Sequence, residues 1–133
     1  MEPLTAMSDF LDQLQPQLRA VLAKLGADIT LDWPSVRWHV EFPKSRIYGL
    51  VGLLIFSSYR EPETELVVVT VQYRETSGWS IDVTDRESMP LVDEIDLQRL
   101  ARNVDSVNAD RAANGIRTIL EPISKRIIEE LFP

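Results

Sequence analysis

Two strongly apolar runs, Leu50–Phe56 (LVGLLIF) and Leu66–Val71 (LVVVTV), lie in the middle of the chain between two alternating segments. Val36–Phe42 (VRWHVEF) and Trp79–Thr84 (WSIDVT) alternate apolar with polar residues. Alternation marks a strand with one wet face, whereas an unbroken apolar run marks a strand covered on both faces. The pattern predicts an α+β fold built on an antiparallel meander of about four to five strands, with buried centres and half-exposed flanks. Asp28–Trp33 (DITLDW) reads as a short first strand ended by Pro34, followed by strands over 36–42, 47–59, 65–74 and 79–84. In the second of these, Val36, Trp38, Val40 and Phe42 share one face, and Arg37, His39 and Glu41 share the other. Gly49 and Gly52 permit a bulge in the long central strand, and Gly78 closes a short hairpin loop.

Helical spacing brackets the sheet. Leu4, Met7, Leu11, Leu14, Leu18, Val21, Leu22 and Leu25 recur at steps of three and four, with Pro3 in the first turn and Gly26 as a stop. Pro16 should kink this helix or split it into two collinear pieces. Ile95, Leu97, Leu100, Ala101 and Val104 outline a short helix capped by Asp93 or Asp96. The last helix presents Ala109, Ala112, Ile116, Ile119, Leu120, Ile123, Ile127 and Leu131, with Asp105 or Ser106 as cap and Pro122 as an interruption. The expected core includes Val40, Leu54, Phe56, Val69, Val71, Ile81, Ile119 and Ile123. Residues 1–133 form one domain by size, without a linker or internal repeat. Two apolar central strands need cover on both faces. Two proline-interrupted helices meet that demand poorly, which points to a twofold homodimer.

Composition narrows the function classes. The 133 residues include no cysteine, which excludes a disulfide framework, a thiolate metal site and cysteine nucleophiles, and is compatible with a cytoplasmic setting. The first ten residues carry acids where a signal peptide carries positive charge, and no apolar stretch is long enough to span a bilayer. A net charge of −7 repels a phosphate backbone on average and instead favours a basic protein partner.

Candidate chemistry is sparse. His39 is the only histidine, and with Arg37 and Glu41 it could place a base beside a carboxylate and a cation; an ordinary solvated strand face explains the same pattern. Glu61, Glu63 and Glu65 around a turn, and Asp82 and Asp85 at a strand end, read as solubilising charge. Asp105–Asp110 (DSVNAD) fails the EF-hand pattern and reads as helix capping. There is no Gly-rich phosphate loop and no GxSxG elbow. We therefore assign no catalytic residue, metal or cofactor. Trp38 and Trp79 fall on the apolar phase of their strands and belong to the core, whereas Trp33 and Tyr59 lie beside turns. The expected partner-binding surface is Trp33, Arg37, His39, Glu41 and Tyr59.

In the order helix, meander, helices, and in its acidic, cysteine-free composition, the chain broadly resembles small bacterial secretion chaperones and toxin-neutralising immunity proteins. The absence of a catalytic constellation, together with the acidic charge balance, points to a non-enzymatic protein-binding module of inhibitor, immunity or chaperone type. Two other readings are a small enzyme or ligand-binding domain with a sheet–helix pocket near His39, and a structural subunit of a larger assembly.

Overall fold

The computed structural model describes residues 3–31, 35–43, 49–74 and 76–132, with backbone alone for 3–8, 50 and 94. Helix α1 (Pro3–Thr30) leads into strands β1 (Val36–Glu41), β2 (Leu50–Ser58), β3 (Glu65–Arg74) and β4 (Gly78–Asp85), and helices α2 (Glu94–Ala101) and α3 (Ala109–Leu131) follow. The strands form one antiparallel sheet in the order β1-β2-β3-β4, so hairpin connections suffice. The expected α+β meander between terminal helices is the fold. The sheet carries two bulges: Leu50 pairs with Gln72 but Gly52 with Val71, and Phe56 pairs with Val67 but Ser57 with Glu65. The first lies beside Gly52 of β2 and Gly49 just ahead of it. Gly49 there adopts φ +76°, and its carbonyl accepts a bond from the Tyr73 N–H.

Register sorts the sheet into two faces. Trp38, Phe56 and Val67 align across neighbouring strands, as do Val40, Leu54, Val69 and Val83. This face joins Leu14, Leu18 and Leu22 of α1 and Ile116, Leu120 and Ile127 of α3 in one core cluster. Each such fully buried aliphatic side chain contributes roughly 1.5–3 kcal/mol. Of the expected core residues, Leu54, Phe56, Val69, Val71 and Ile81 are fully buried, while Val40, Ile119 and Ile123 pack at its margin.

Three expectations are corrected. Residues 28–30 are the last turn of α1, not a strand: Ile29 extends the buried stripe of Leu18, Leu22 and Leu25 at helical spacing. Neither proline interrupts its helix assignment; Pro16 and Pro122 are exposed, where a carbonyl without its usual donor can turn to water. The cap of α3 is Asn108, whose side chain accepts from the Arg111 N–H, while Asp105 binds the N–H groups of Val107 and Asn108 just ahead of it. Helices α1 and α3 pack together on the same face of the sheet. Asp93 does cap α2, accepting from Ile95 and Asp96.

The turn Asp85–Met89 ends β4 as the sequence suggested, with the Asp85 carboxylate accepting from Glu87 and Met89. The chain then runs back along the outer edge of β4. The Asp85 N–H donates to Met89, Leu91 donates to the Val83 carbonyl, and the Gln98 amide donates to the Ile81 carbonyl. The outer edge of β4 is thereby occupied, with α2 lying alongside it.

Val69 is 0% exposed, between Leu54 on one neighbouring strand and Val83 on the other. Val69→Asp buries an unpaired charge there, and the cooperative thermal transition should disappear. The two bonds from Asn108 and Val107 hold the Asp105 carboxyl below its ordinary 3.8. Stability contributed by this depressed group is present above that value and lost as pH falls through the folded-state value. The melting-temperature gap between the parent protein and Asp105→Ala should therefore narrow as pH is lowered from neutral to below 3.8.

Candidate functional site

β1 lies at the other end of the sheet, and its outer edge contrasts with that of β4. The Tyr59 N–H donates to the Ser35 carbonyl at 2.8 Å, which fixes the phase of the β1–β2 ladder. Antiparallel backbone groups alternate in direction, so Arg37, His39 and Glu41 turn their N–H and C=O groups toward β2. Val36, Trp38 and Val40 turn theirs outward. No backbone hydrogen bond joins that outer edge to another described residue. Unpaired edges of this kind are templates for strand addition.

Side chains around the edge are held firmly. Trp38 packs its indole against Gly26 of α1; a Cβ at Gly26 would lie 2.6 Å from the Trp38 Cδ2. Gly26 is therefore the glycine that admits the indole, not the helix stop its position suggested. The Arg19 guanidinium lies 4.5 Å from the centroid of the Phe42 ring, just beyond the end of β1. Thr30, Val36, Arg37, Trp38 and Tyr59 line a shallow open depression at the edge. Tyr59 is 65% exposed and Leu31, at the end of α1, 79% exposed.

Arg37, His39 and Glu41 stand exposed on the sheet face away from the helices, as their alternation indicated. His39 Nε2 and Glu41 Oε1 are 2.9 Å apart, with both side chains about half exposed. A pair so open to water contributes little to stability. Opposite them on β2 lie Ser57, Ile55 and Leu53. Ile55 is 4% exposed but stands outside the core cluster. The Ser57 hydroxyl is buried without a partner among the described residues. Trp33 lies outside the described residues. Of the five sequence-selected residues, the structure brings Arg37 and Tyr59 to one depression and His39 and Glu41 to the neighbouring face. Sequence reasoning missed Thr30 and Leu31, because it placed them in a strand.

The remaining candidates stay apart. Trp79 is buried in a ring cluster with Phe10 and Tyr73, and its N–H donates to the Asp105 carbonyl. A cavity of about 80 Å³ between α1 and α3 is lined by Val21, Lys24, Leu25, Asp28, Arg117, Leu120 and Glu121, far from His39 in the sheet. Ligand pockets typically measure ~300–1,000 Å³. Among the described residues no group of three or more His, Asp or Glu side chains could hold a metal ion. Among the described residues no helix is long and apolar enough to cross a membrane.

The close approach of Gly26 and Trp38 yields an opposed pair of effects. Gly26→Ala gains up to about 1 kcal/mol of helix propensity. Against this, overpacking the indole costs about 1–3 kcal/mol, so the melting temperature should fall. In a Trp38→Ala background the same Gly26→Ala change should raise it, and thermal melts of the four chains decide the sign. Comparison with known proteins gives no match of any kind: no family model, no curated protein and no solved structure.

Proposed function

We propose that the chain is a non-enzymatic protein-binding module that takes an extended segment of a partner protein onto the outer edge of β1. The observation that carries this reading is the asymmetry of the sheet. The β4 edge is filled by the chain's own backbone and Gln98, while the β1 edge has outward N–H and C=O groups beside exposed Tyr59 and Leu31. Main-chain bonds along such an edge supply affinity, and flanking side chains supply selectivity. Inhibitor, immunity and chaperone roles are the functions this mode suits, in a reducing cytoplasm compatible with the lack of cysteine. The net charge of −7 favours a basic partner by long-range steering. A catalytic role for His39 draws less support, since the His39 and Glu41 side chains are both about half exposed to water.

The ladder phase supplies a test. The Val40 N–H points away from β2, so proline at this position removes an outward donor and no β1–β2 bond. Val40→Pro should keep the thermal transition of a Val40→Ala packing control yet lose the partner that the parent chain captures from its native host. Equal capture by both variants would place binding elsewhere. Association with that partner should also slow as salt is raised from about 50 to 500 mM, because screening removes the steering contribution. A salt-independent on-rate would instead indicate an apolar encounter.

A further inference from the structure

We propose that a second copy of this chain occupies the β1 edge, pairing β1 antiparallel with its twin about a twofold axis through His39. The inference rests on the reading of β1 as an open edge and names a second copy as its occupant, in place of the basic partner that the net charge of −7 would steer there. Outward backbone groups belong to Val36, Trp38 and Val40, so two β1 strands can bond only in registers that place even-numbered residues opposite even-numbered ones. Within that set the side chains choose. Centring on His39 puts Arg37 of each copy opposite Glu41 of the other, and it does so twice. On the helix-packed face the same register sets Trp38 against Val40 and Val36 against Phe42. A register centred on Trp38 pairs Arg37 with histidine, and one centred on Val40 places Arg37 opposite Pro43; neither forms an Arg–Glu pair.

The ladder phase also brings the paired charges close together. In the His39-centred register, the odd-numbered residues form the non-hydrogen-bonded pairs, whose side chains approach more closely. Each Glu41 already holds the His39 of its own chain at 2.9 Å. Pairing therefore produces a ribbon across the new junction: Arg37 to the other copy's Glu41, that Glu41 to its own His39, and the same in reverse. The product is an eight-stranded sheet with an isologous interface and both outer edges formed by the occupied β4 strands.

The test is a charge-swap cycle read by sedimentation equilibrium. The parent chain should show a mass of twice 15.2 kDa that falls toward 15.2 kDa on dilution. Arg37→Glu and Glu41→Arg each set like charges opposite one another twice, and each should weaken self-association by at least about tenfold. The double variant Arg37→Glu/Glu41→Arg restores complementarity with the signs reversed, and should return to within about threefold of the parent chain. Both substituted positions, Arg37 and Glu41, carry exposed side chains, so each variant should keep a cooperative thermal transition, which separates dissociation from unfolding. Val40→Pro should dissociate the dimer as well. A mass of 15.2 kDa at every concentration, single variants that associate like the parent, or a double variant that stays monomeric would each overturn the proposal. A monomer that still loses a captured partner on Val40→Pro overturns self-pairing while leaving the edge as a binding site for another protein.

Discussion

The width of a helix governs this architecture. An α-helix with its side chains measures about 10–12 Å across, and strands lie about 4.8 Å apart, so one helix covers about two strands. Four strands need two helices, and α1 and α3 are both used on a single face: α1 over β1 and β2, α3 over β3. The remaining helix, α2, is too short to roof the second face. Its Leu97 and Ala101 join the core from the side of β4, and its Gln98 closes that strand's edge. A face packed by α1 and α3, a β4 edge filled by the chain itself and a β1 edge without a backbone partner among the described residues all follow from where these three helices are placed.

This arrangement explains what the sequence pattern revealed and what it concealed. Strand positions were legible because hydrophobic alternation and turn residues are local signals. Cover was less legible. Leu66–Val71 reads as an all-apolar run, yet burial along β3 alternates, with Val67, Val69 and Val71 buried and Val68 and Thr70 only partly so. β-branched residues suit a half-exposed pleat as well as a buried one, so their presence does not establish two-sided cover. Gly26 was misread for a related reason. Its neighbour is Trp38, which no local window contains, and a glycine that admits an indole has the same letter as one that ends a helix.

The most consequential misreading concerned residues 28–30. As a strand, Asp28–Trp33 would have lain beside β1 and made it an interior strand. As the last turn of α1, held by the burial of Ile29, residues 28–30 leave β1 at the margin of the described sheet. The surface residues Arg37, His39 and Glu41 were identified correctly from alternation alone. Their place on an edge strand was not, because it depends on strand order. Edge status is a tertiary property: it is set by which segment fails to become a strand.

An open edge is normally a hazard, and proteins blunt it with shortness and charge. β1 has both, with six residues and charged side chains on its exposed face. Blunting alone, however, does not account for the order of the charges. A row of lysines would repel another copy in every register. The order cation, imidazole, anion behaves differently. Parallel in-register stacking, the arrangement that propagates into fibrils, sets Arg37 on Arg37 and Glu41 on Glu41 and is disfavoured. One antiparallel register, centred on His39, turns both conflicts into attractions. A pattern that penalises open-ended stacking while permitting a single closed pair is how specificity is built from repulsion as well as attraction. Such a pair also consumes the open edge, because a twofold junction uses each β1 once and leaves none for a third chain.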